Sequence, residues 1–278
     1  MTSSTANQRY YEWIRDPETG VKPTLVFLHG WGGSCRYWRS TAKSLSPWFD
    51  CLLYDLPGFG RSTGHIAPSS GSYEMEAYAE DLATFLQELQ LETVDLNAHS
   101  MGASIATFFV NRYPQRVRRA ILTCSGIFEY DKQAFAAFYR FGGYVVKFRY
   151  PWFLQVPFLD RLFMARFLHR TIPPVERRNF LEDFLIAHPE AALQTIYTSV
   201  SKTAVEVMPQ EFAKIRVPTL LIAGEKDIII PARMGREAAA LNDKIEYVEM
   251  AGTAHFPMLE DAPTYLKLAR TFLGVADS

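Results

Sequence analysis

Over residues 8–126 short β-branched or aliphatic runs alternate with longer stretches of helical pattern, and the same alternation returns after residue 213. Such an order commits the chain to an α/β architecture, a mainly parallel sheet flanked by helices. The runs that read as strands are 8–15, 24–28, 49–56, 93–98 and 119–124, then 218–224 and 245–250. Between the third and fourth, Met75, Tyr78, Ala79, Leu82, Phe85, Leu86 and Leu89 recur in steps of three and one, the apolar stripe of a helix lying on the sheet. Further helices are expected at 103–112, at 231–241 behind an opening proline, and from about Ala262.

Residues 127–212 break this rhythm. They show no alternation of strands and read as helices interrupted at Gly142-Gly143, Pro151, Pro157, Pro173-Pro174 and Pro189. The expected organisation is a sheet domain in two parts, 1–126 and 213–278, with a helical cap inserted at 127–212. The insertion holds 86 of 278 residues but 18 of the 39 aromatic side chains, more than its own core needs.

Composition excludes several classes of function. With 29 Lys+Arg against 30 Asp+Glu the net charge is −1, so nothing points to a phosphate-binding surface, and no nucleic-acid partner is expected. Cys35, Cys51 and Cys124 are too few and too unpatterned for a disulfide framework or a zinc site, which fits a reducing compartment. The opening MTSSTANQRYYEWIRD lacks the apolar stretch of a secretory signal, and no window reaches the roughly 18 apolar residues of a membrane span. A cytoplasmic location is the expectation.

The chemistry concentrates where strands end. At Asn97-Ala98-His99-Ser100-Met101-Gly102-Ala103 a strand runs directly into a helix, with a serine at the junction and small residues two before and two after it. This is the pattern of a nucleophile elbow, a strained turn that projects Oγ above the sheet and tolerates only small flanking residues. Ala98 stands where glycine is commoner, and a serine at this position could also simply cap the helix. His29-Gly30-Trp31-Gly32-Gly33 follows an earlier strand, and its glycines let backbone N–H groups face inward where an oxyanion would form. The expected donors are the N–H groups of Trp31 and Met101. A phosphate loop would need a following Lys-Ser/Thr or a spaced G-x-G-x-x-G, and neither is present.

Of the six histidines, His255 lies on the loop after the last strand, at the sheet edge that carries Ser100, which suits a general base. His99 and His29 are read as structural. The orienting acid should also follow a strand, and Asp227 in Gly224-Glu225-Lys226-Asp227 does so, with Glu225 and Glu129 as alternatives. The chain order Ser100, Asp227, His255 is the one expected of this architecture.

Five segments together, HGWGGS at 29–34, DLPGFGRS at 55–62, AHSMGAS at 98–104, GEKD at 224–227 and GTAHFPMLED at 252–261, resemble the α/β-hydrolase superfamily over nearly all of the sheet domain, in its serine-nucleophile, cap-containing, esterase- or lipase-like branch. The resemblance implies a cofactor-free enzyme without a metal site. In it Ser100 attacks an acyl carbon, His255 shuttles the proton, Asp227 orients His255, and the Trp31 and Met101 amides hold the oxyanion. The segment at 55–62 would shape the loop beside the oxyanion site. Haloalkane dehalogenases and epoxide hydrolases of the superfamily carry aspartate at the elbow, so Ser100 argues against them. Iminopeptidases, cofactor-free haloperoxidases, lactonases and carbon–carbon bond hydrolases share the serine arrangement.

Phe135, Phe138, Tyr139, Phe141, Tyr144, Phe148, Tyr150, Trp152, Phe153, Phe158, Phe163 and Phe167 crowd one stretch of the insertion. Part of this surface is expected to line a pocket for a small-molecule ester with an apolar acyl or alcohol part; the alternative is ordinary core between cap and sheet. Between Ile127 and Arg178 nine Lys+Arg face four acids, so a peripheral contact of the cap with an anionic membrane is a further expectation. The expected activity is a serine hydrolase of carboxylic esters. The alternatives are a lactonase or carbon–carbon bond hydrolase using the same triad, or a low-turnover ligand receptor of the same fold. Hydrolysis and acyl transfer to another alcohol share the acyl-enzyme, so the sequence leaves open which is the physiological reaction.

Overall fold

A computed structural model of the protein describes residues 9–275 except 19, 63, 129–142 and 200. Seven strands, β1 (Tyr11–Ile14), β2 (Thr24–Leu28), β3 (Asp50–Tyr54), β4 (Val94–His99), β5 (Val117–Thr123), β6 (Thr219–Gly224) and β7 (Ile245–Met250), form one sheet in the order β1-β3-β2-β4-β5-β6-β7. Only the edge strand β1 is antiparallel to its neighbour; every other pair is parallel. β2 and β6 are buried along their whole length and read as unbroken apolar runs, because helices cover a parallel sheet on both faces. β4, VDLNAH, is equally buried yet alternates. Val94, Leu96 and Ala98 join the core on one face, while Asp95, Asn97 and His99 on the other find polar partners.

The helices of the first half are α1 (Arg39–Leu45), α2 (Met75–Glu88) and α3 (Met101–Arg112). Between β5 and β6 come α4 (Leu159–Met164), α5 (Pro174–Ile186), α6 (Pro189–Ser199) and α7 (Lys202–Lys214), with no strand among the described residues. After β6 come α8 (Ala232–Ala239) and α9 (Ala262–Leu273), with one short helical turn at Pro257–Glu260 before α9. One core layer places Leu82 and Phe85 of α2 and Ile105 and Phe109 of α3 against Val26, Leu28 and Leu96. The other packs Leu45 of α1, Trp38, and Tyr265 and Leu273 of α9 against Leu25, Phe27 and Leu53. α7 lies with the first layer, where its Phe212 is fully buried. Among the described residues no helix is long and apolar enough to cross a membrane.

Most differences from the sequence expectation are at element ends. The run 8–15 pairs only over Tyr11–Ile14, 49–56 only over Asp50–Tyr54, and the helix expected at 231–241 spans Ala232–Ala239 behind Pro231. α3 begins two residues before the expected 103. α1 was not expected, because RSTAKSL offers only Ala42 and Leu45 as buried apolar residues, too few for a period to show. Phe135, Phe138, Tyr139 and Phe141 lie outside the described residues.

The segment before β1 is tied to α2 by a buried cluster. Asp81 accepts hydrogen bonds from Arg9 at 2.8 Å, Tyr54 at 2.6 Å and His65 at 3.1 Å. Burial alone would raise the Asp81 pKa, but those three bonds and the charge of Arg9 outweigh it and bring it from 3.8 down to about 2. A carboxyl with a depressed folded pKa adds stability that is present above its unfolded value and lost as pH falls through the folded one. Stability should therefore fall from about pH 4 to about pH 2. Asp81→Asn should cost about 3 kcal/mol at neutral pH, because Arg9 loses its buried counter-charge and keeps only the more exposed Glu88. It should also flatten that acid limb, and denaturant melts at pH 7 and pH 3 check both effects.

Candidate active site

Parallel strands deliver their carboxyl ends to one edge of the sheet, and the candidate residues meet there. Ser100 links β4 to α3 with φ 54° and ψ −121°, a left-handed conformation that is strained for any residue with a side chain. Its N–H donates to the Thr123 carbonyl at 2.9 Å, while its own carbonyl accepts from Ala103 and Ser104, so both flanking elements hold the turn. Gly102 has no room for a side chain: a Cβ there would lie 2.5 Å from the His29 carbonyl oxygen. Ala98 fits in place of glycine, fully buried and paired between Leu28 and Leu122.

Asp227 follows β6 and His255 follows β7. His255 Nδ1 lies 2.7 Å from Asp227 Oδ2, and its Nε2 lies 3.1 Å from Ser100 Oγ. The carboxylate can only accept, so Nδ1 carries the proton and Nε2 is left to receive the serine proton. The other Asp227 oxygen accepts from the N–H groups of Ile229 at 2.8 Å and Ile230 at 3.1 Å, which fixes the carboxylate plane. Asp227 and His255 are buried and Ser100 is partly exposed. Glu225, one alternative acid, instead bonds Lys226 and the Gly252 N–H. Glu129, the other, lies outside the described residues.

The two remaining histidines near the edge are spent on architecture. His29 Nδ1 donates to the Gly30 carbonyl at 2.8 Å and its Nε2 accepts from the Leu56 N–H at 2.9 Å. His99 Nε2 donates to the His255 carbonyl at 2.7 Å, and its Nδ1 takes the Tyr37 hydroxyl proton at 2.9 Å. The Tyr37 oxygen in turn accepts from the Gly30 N–H at 2.5 Å. One row of bonds therefore joins the loop after β2 to the loop carrying His255. Burial holds both His29 and His99 neutral by lowering their pKa. His99, Cys124 and His255 bring potential metal-ligand atoms within 4.8 Å of one another. Both nitrogens of each histidine are already engaged, and burial pushes the Cys124 thiol far up, so the set fits hydrogen bonding rather than a cation.

Two buried carboxylates tie the excursion between β5 and β6 to these loops. Glu260 accepts from Ala254 at 2.8 Å beside His255, and from His169 and Arg170 at 2.7 Å each. The His255 N–H donates to the Phe167 carbonyl at 3.0 Å. Asp183 of α5 accepts from the Ser34 hydroxyl at 2.5 Å and pairs with Arg36, both in the segment after β2. Burial pushes the Asp183 carboxyl up to about 6 against the lowering pull of Arg36 and Ser34. Sequence reading missed Tyr37, Asp183 and Glu260. Only Glu260 left a signal, as the penultimate residue of the GTAHFPMLED segment.

A Cβ on Gly30 would lie 3.0 Å from Ser100 Cβ, so Gly30 borders the serine, and Trp31 follows it in the chain. Met101 opens α3, where an N–H has no intrahelical acceptor. The Trp31 ring donates through Nε1 to the Ala192 carbonyl at 2.9 Å and sits 5.6 Å from the Phe184 ring. Phe184 lies 4.7 Å from Phe163, and Phe167 lies 6.1 Å from the His255 ring. An aromatic wall thus stands over the edge that carries Ser100. Asp55, in the 55–62 segment, binds the N–H groups of Cys35 at 2.7 Å and Arg61 at 2.9 Å and so braces the neighbouring loop. A surface depression of about 530 Å³ lined by Asn111, Pro114, Arg216 and Lys244 lies at the amino edge of the strands, away from this chemistry.

Known proteins place this arrangement in a family. The pimeloyl-(acyl-carrier protein) methyl ester esterase of Neisseria meningitidis is 28% identical over 270 residues, spanning 91% of this chain and 78% of its own. The enol-lactonase of Burkholderia xenovorans superposes with a TM-score of 0.78 at 20% identity, covering 98% of this chain and 100% of its own. A thermophilic esterase of Thermogutta terrifontis gives 0.76 at 22% identity, covering 96% and 93%. At such identities the likeness of the solved structures concerns the fold. A family model described as alpha/beta hydrolase fold matches residues 23–262, and with most of the chain inside that match the protein belongs to the alpha/beta hydrolase family.

Proposed function

We propose that the protein is a serine hydrolase that cleaves a small carboxylic ester with an apolar acyl or alcohol part. The observation that carries this reading is the hydrogen-bonded row Asp227–His255–Ser100, ending on a serine in a strained turn at the carboxyl edge of the sheet. Ser100 Oγ attacks the ester carbonyl carbon while its proton passes to His255 Nε2. The carbonyl oxygen becomes an oxyanion held by the N–H groups of Trp31 and Met101, each such donor contributing roughly 10²–10³ in turnover. Asp227 keeps Nδ1 protonated and stabilises the imidazolium. His255 then protonates the departing alcohol oxygen, and the acyl group remains on Ser100. Water, deprotonated by His255, attacks the acyl carbon, and the Ser100 oxygen leaves with the returned proton. Every step uses groups of this chain, and none calls for a cofactor.

The span 127–212 acts in this reading as a cap, and Phe163, Phe167 and Phe184 give it an apolar inner surface above Ser100. The esterase from Neisseria, named for a methyl ester, supports ester chemistry. The test is the hydrolysis of p-nitrophenyl esters from acetate to palmitate, with Ser100→Ala as the blank. A Ser100-dependent kcat/KM should rise by roughly threefold to fourfold for each methylene that enters the site, at about 0.8 kcal/mol each. No rate above the blank on any chain length would sink the reading in favour of lactone cleavage, carbon–carbon cleavage or ligand reception.

A further inference from the structure

The excursion between β5 and β6 exposes a run of large apolar side chains. Tyr144, Phe148, Tyr150 and Trp152 are all exposed, with Tyr144 stacked on Phe148 at 6.0 Å and Tyr150 on Trp152 at 6.2 Å. The patch continues through Phe158, 79% exposed, to Leu162, 73% exposed. Phe158 has φ 62°, a left-handed conformation that is costly for a bulky residue, and its ring buries little in return. Lone exposed apolar residues are ordinary, but a contiguous aromatic patch on one short segment marks a contact surface.

Charge indicates the occupant. Lys147, Arg161 and Arg166 are exposed among these rings and form no ion pair with any described residue, whereas Asp160 is taken by Arg177 at 3.0 Å. Tyrosine and tryptophan rings with interleaved basic side chains match the boundary between headgroups and acyl chains, where rings insert and cations meet anionic lipid. We infer that the face formed by residues 144–162, with Arg166 at its border, docks on an anionic lipid bilayer. This surface is independent of the ester reading, although α4 joins the two: Leu162 is exposed, and the next residue, Phe163, packs its ring against Phe184 of the wall above Ser100.

The test is co-sedimentation of the whole protein with vesicles of phosphatidylcholine alone and of phosphatidylcholine and phosphatidylglycerol in equal parts, at low and high salt. The expected result is binding to the anionic vesicles that weakens as salt rises. Lys147→Gln, Arg161→Gln and Arg166→Gln should each lower the partition coefficient roughly fivefold. Phe158→Ser combined with Leu162→Ser should lower it by about an order of magnitude. Hydrolysis of a short soluble ester, or the thermal melt if no ester is turned over, should not change in these variants, which separates lost docking from lost folding. Absence of pelleting with anionic vesicles at low salt overturns the inference, as does binding that none of the variants weakens. Self-association in sedimentation velocity that the Phe158 and Leu162 changes abolish, without vesicle binding, would assign the face to a second copy of the chain and equally overturn it.

Discussion

Ser100→Ala is expected to lower kcat by roughly 10⁴–10⁶-fold while leaving the fold intact. Among the described residues the Oγ atom has one side-chain hydrogen-bond partner, His255, and the turn is held by backbone bonds to Thr123, Ala103 and Ser104 that alanine keeps. Denaturant melts of the variant should therefore overlay the parent within about 0.5 kcal/mol, the range of a substitution that removes no packing. His255→Ala should show a loss of similar size. The double variant should be little worse than either, because a nucleophile without its base and a base without its nucleophile are equally idle. Losses that multiply in the double variant would show that the two side chains act in separate steps. Single-turnover and steady-state rates on one ester are sufficient to decide.

Asp227→Asn should lower kcat by about 10⁴-fold, and the geometry explains why the loss is chemical rather than structural. The Asp227 Oδ1 atom accepts from two backbone N–H groups, at Ile229 and Ile230, and the asparagine carbonyl oxygen can keep both bonds. That preference turns the amide nitrogen toward His255 Nδ1. Two donors then face each other, so the imidazole moves its proton to Nε2, where it can no longer receive the serine proton. The melting temperature should hardly move. Glu225→Gln is the matched control, since Glu225 bonds Lys226 and Gly252 outside the row, and its turnover should stay within about twofold of the parent. A near-normal Asp227→Asn would move the orienting role to another acid.

Reading the sequence alone placed Ser100, Asp227 and His255 at strand ends, and the structure brings those three side chains into one hydrogen-bonded row. They were legible because a parallel sheet brings its strand ends to a single edge, and because strand runs such as TLLIAG announce where that edge begins. What escaped were residues whose partners are remote in sequence. Nothing near Tyr37 signals that its hydroxyl bridges Gly30 and His99, and nothing in α5 signals that Asp183 reaches Ser34 and Arg36. α1 escaped for a different reason: a seven-residue helix completes too few turns to display a period. The left-handed Phe158 also escaped, since its residue type argues against that conformation and no glycine marks it.

The order of strands also governs what the chain is while it is being made. β1 to β5 adjoin one another and are complete by Thr123, so a five-stranded sheet carrying the strained Ser100 can assemble on the ribosome early. Asp227 and His255 follow β6 and β7, which pair onto the β5 edge only after the whole helical excursion has emerged. Until then the nascent chain has Ser100 without the two side chains that complete its hydrogen-bonded row, and an open parallel edge at β5 that invites pairing with other chains. A translation product released before β7 would lack the assembled row but expose a bare sheet edge, so the hazard of incomplete synthesis is aggregation.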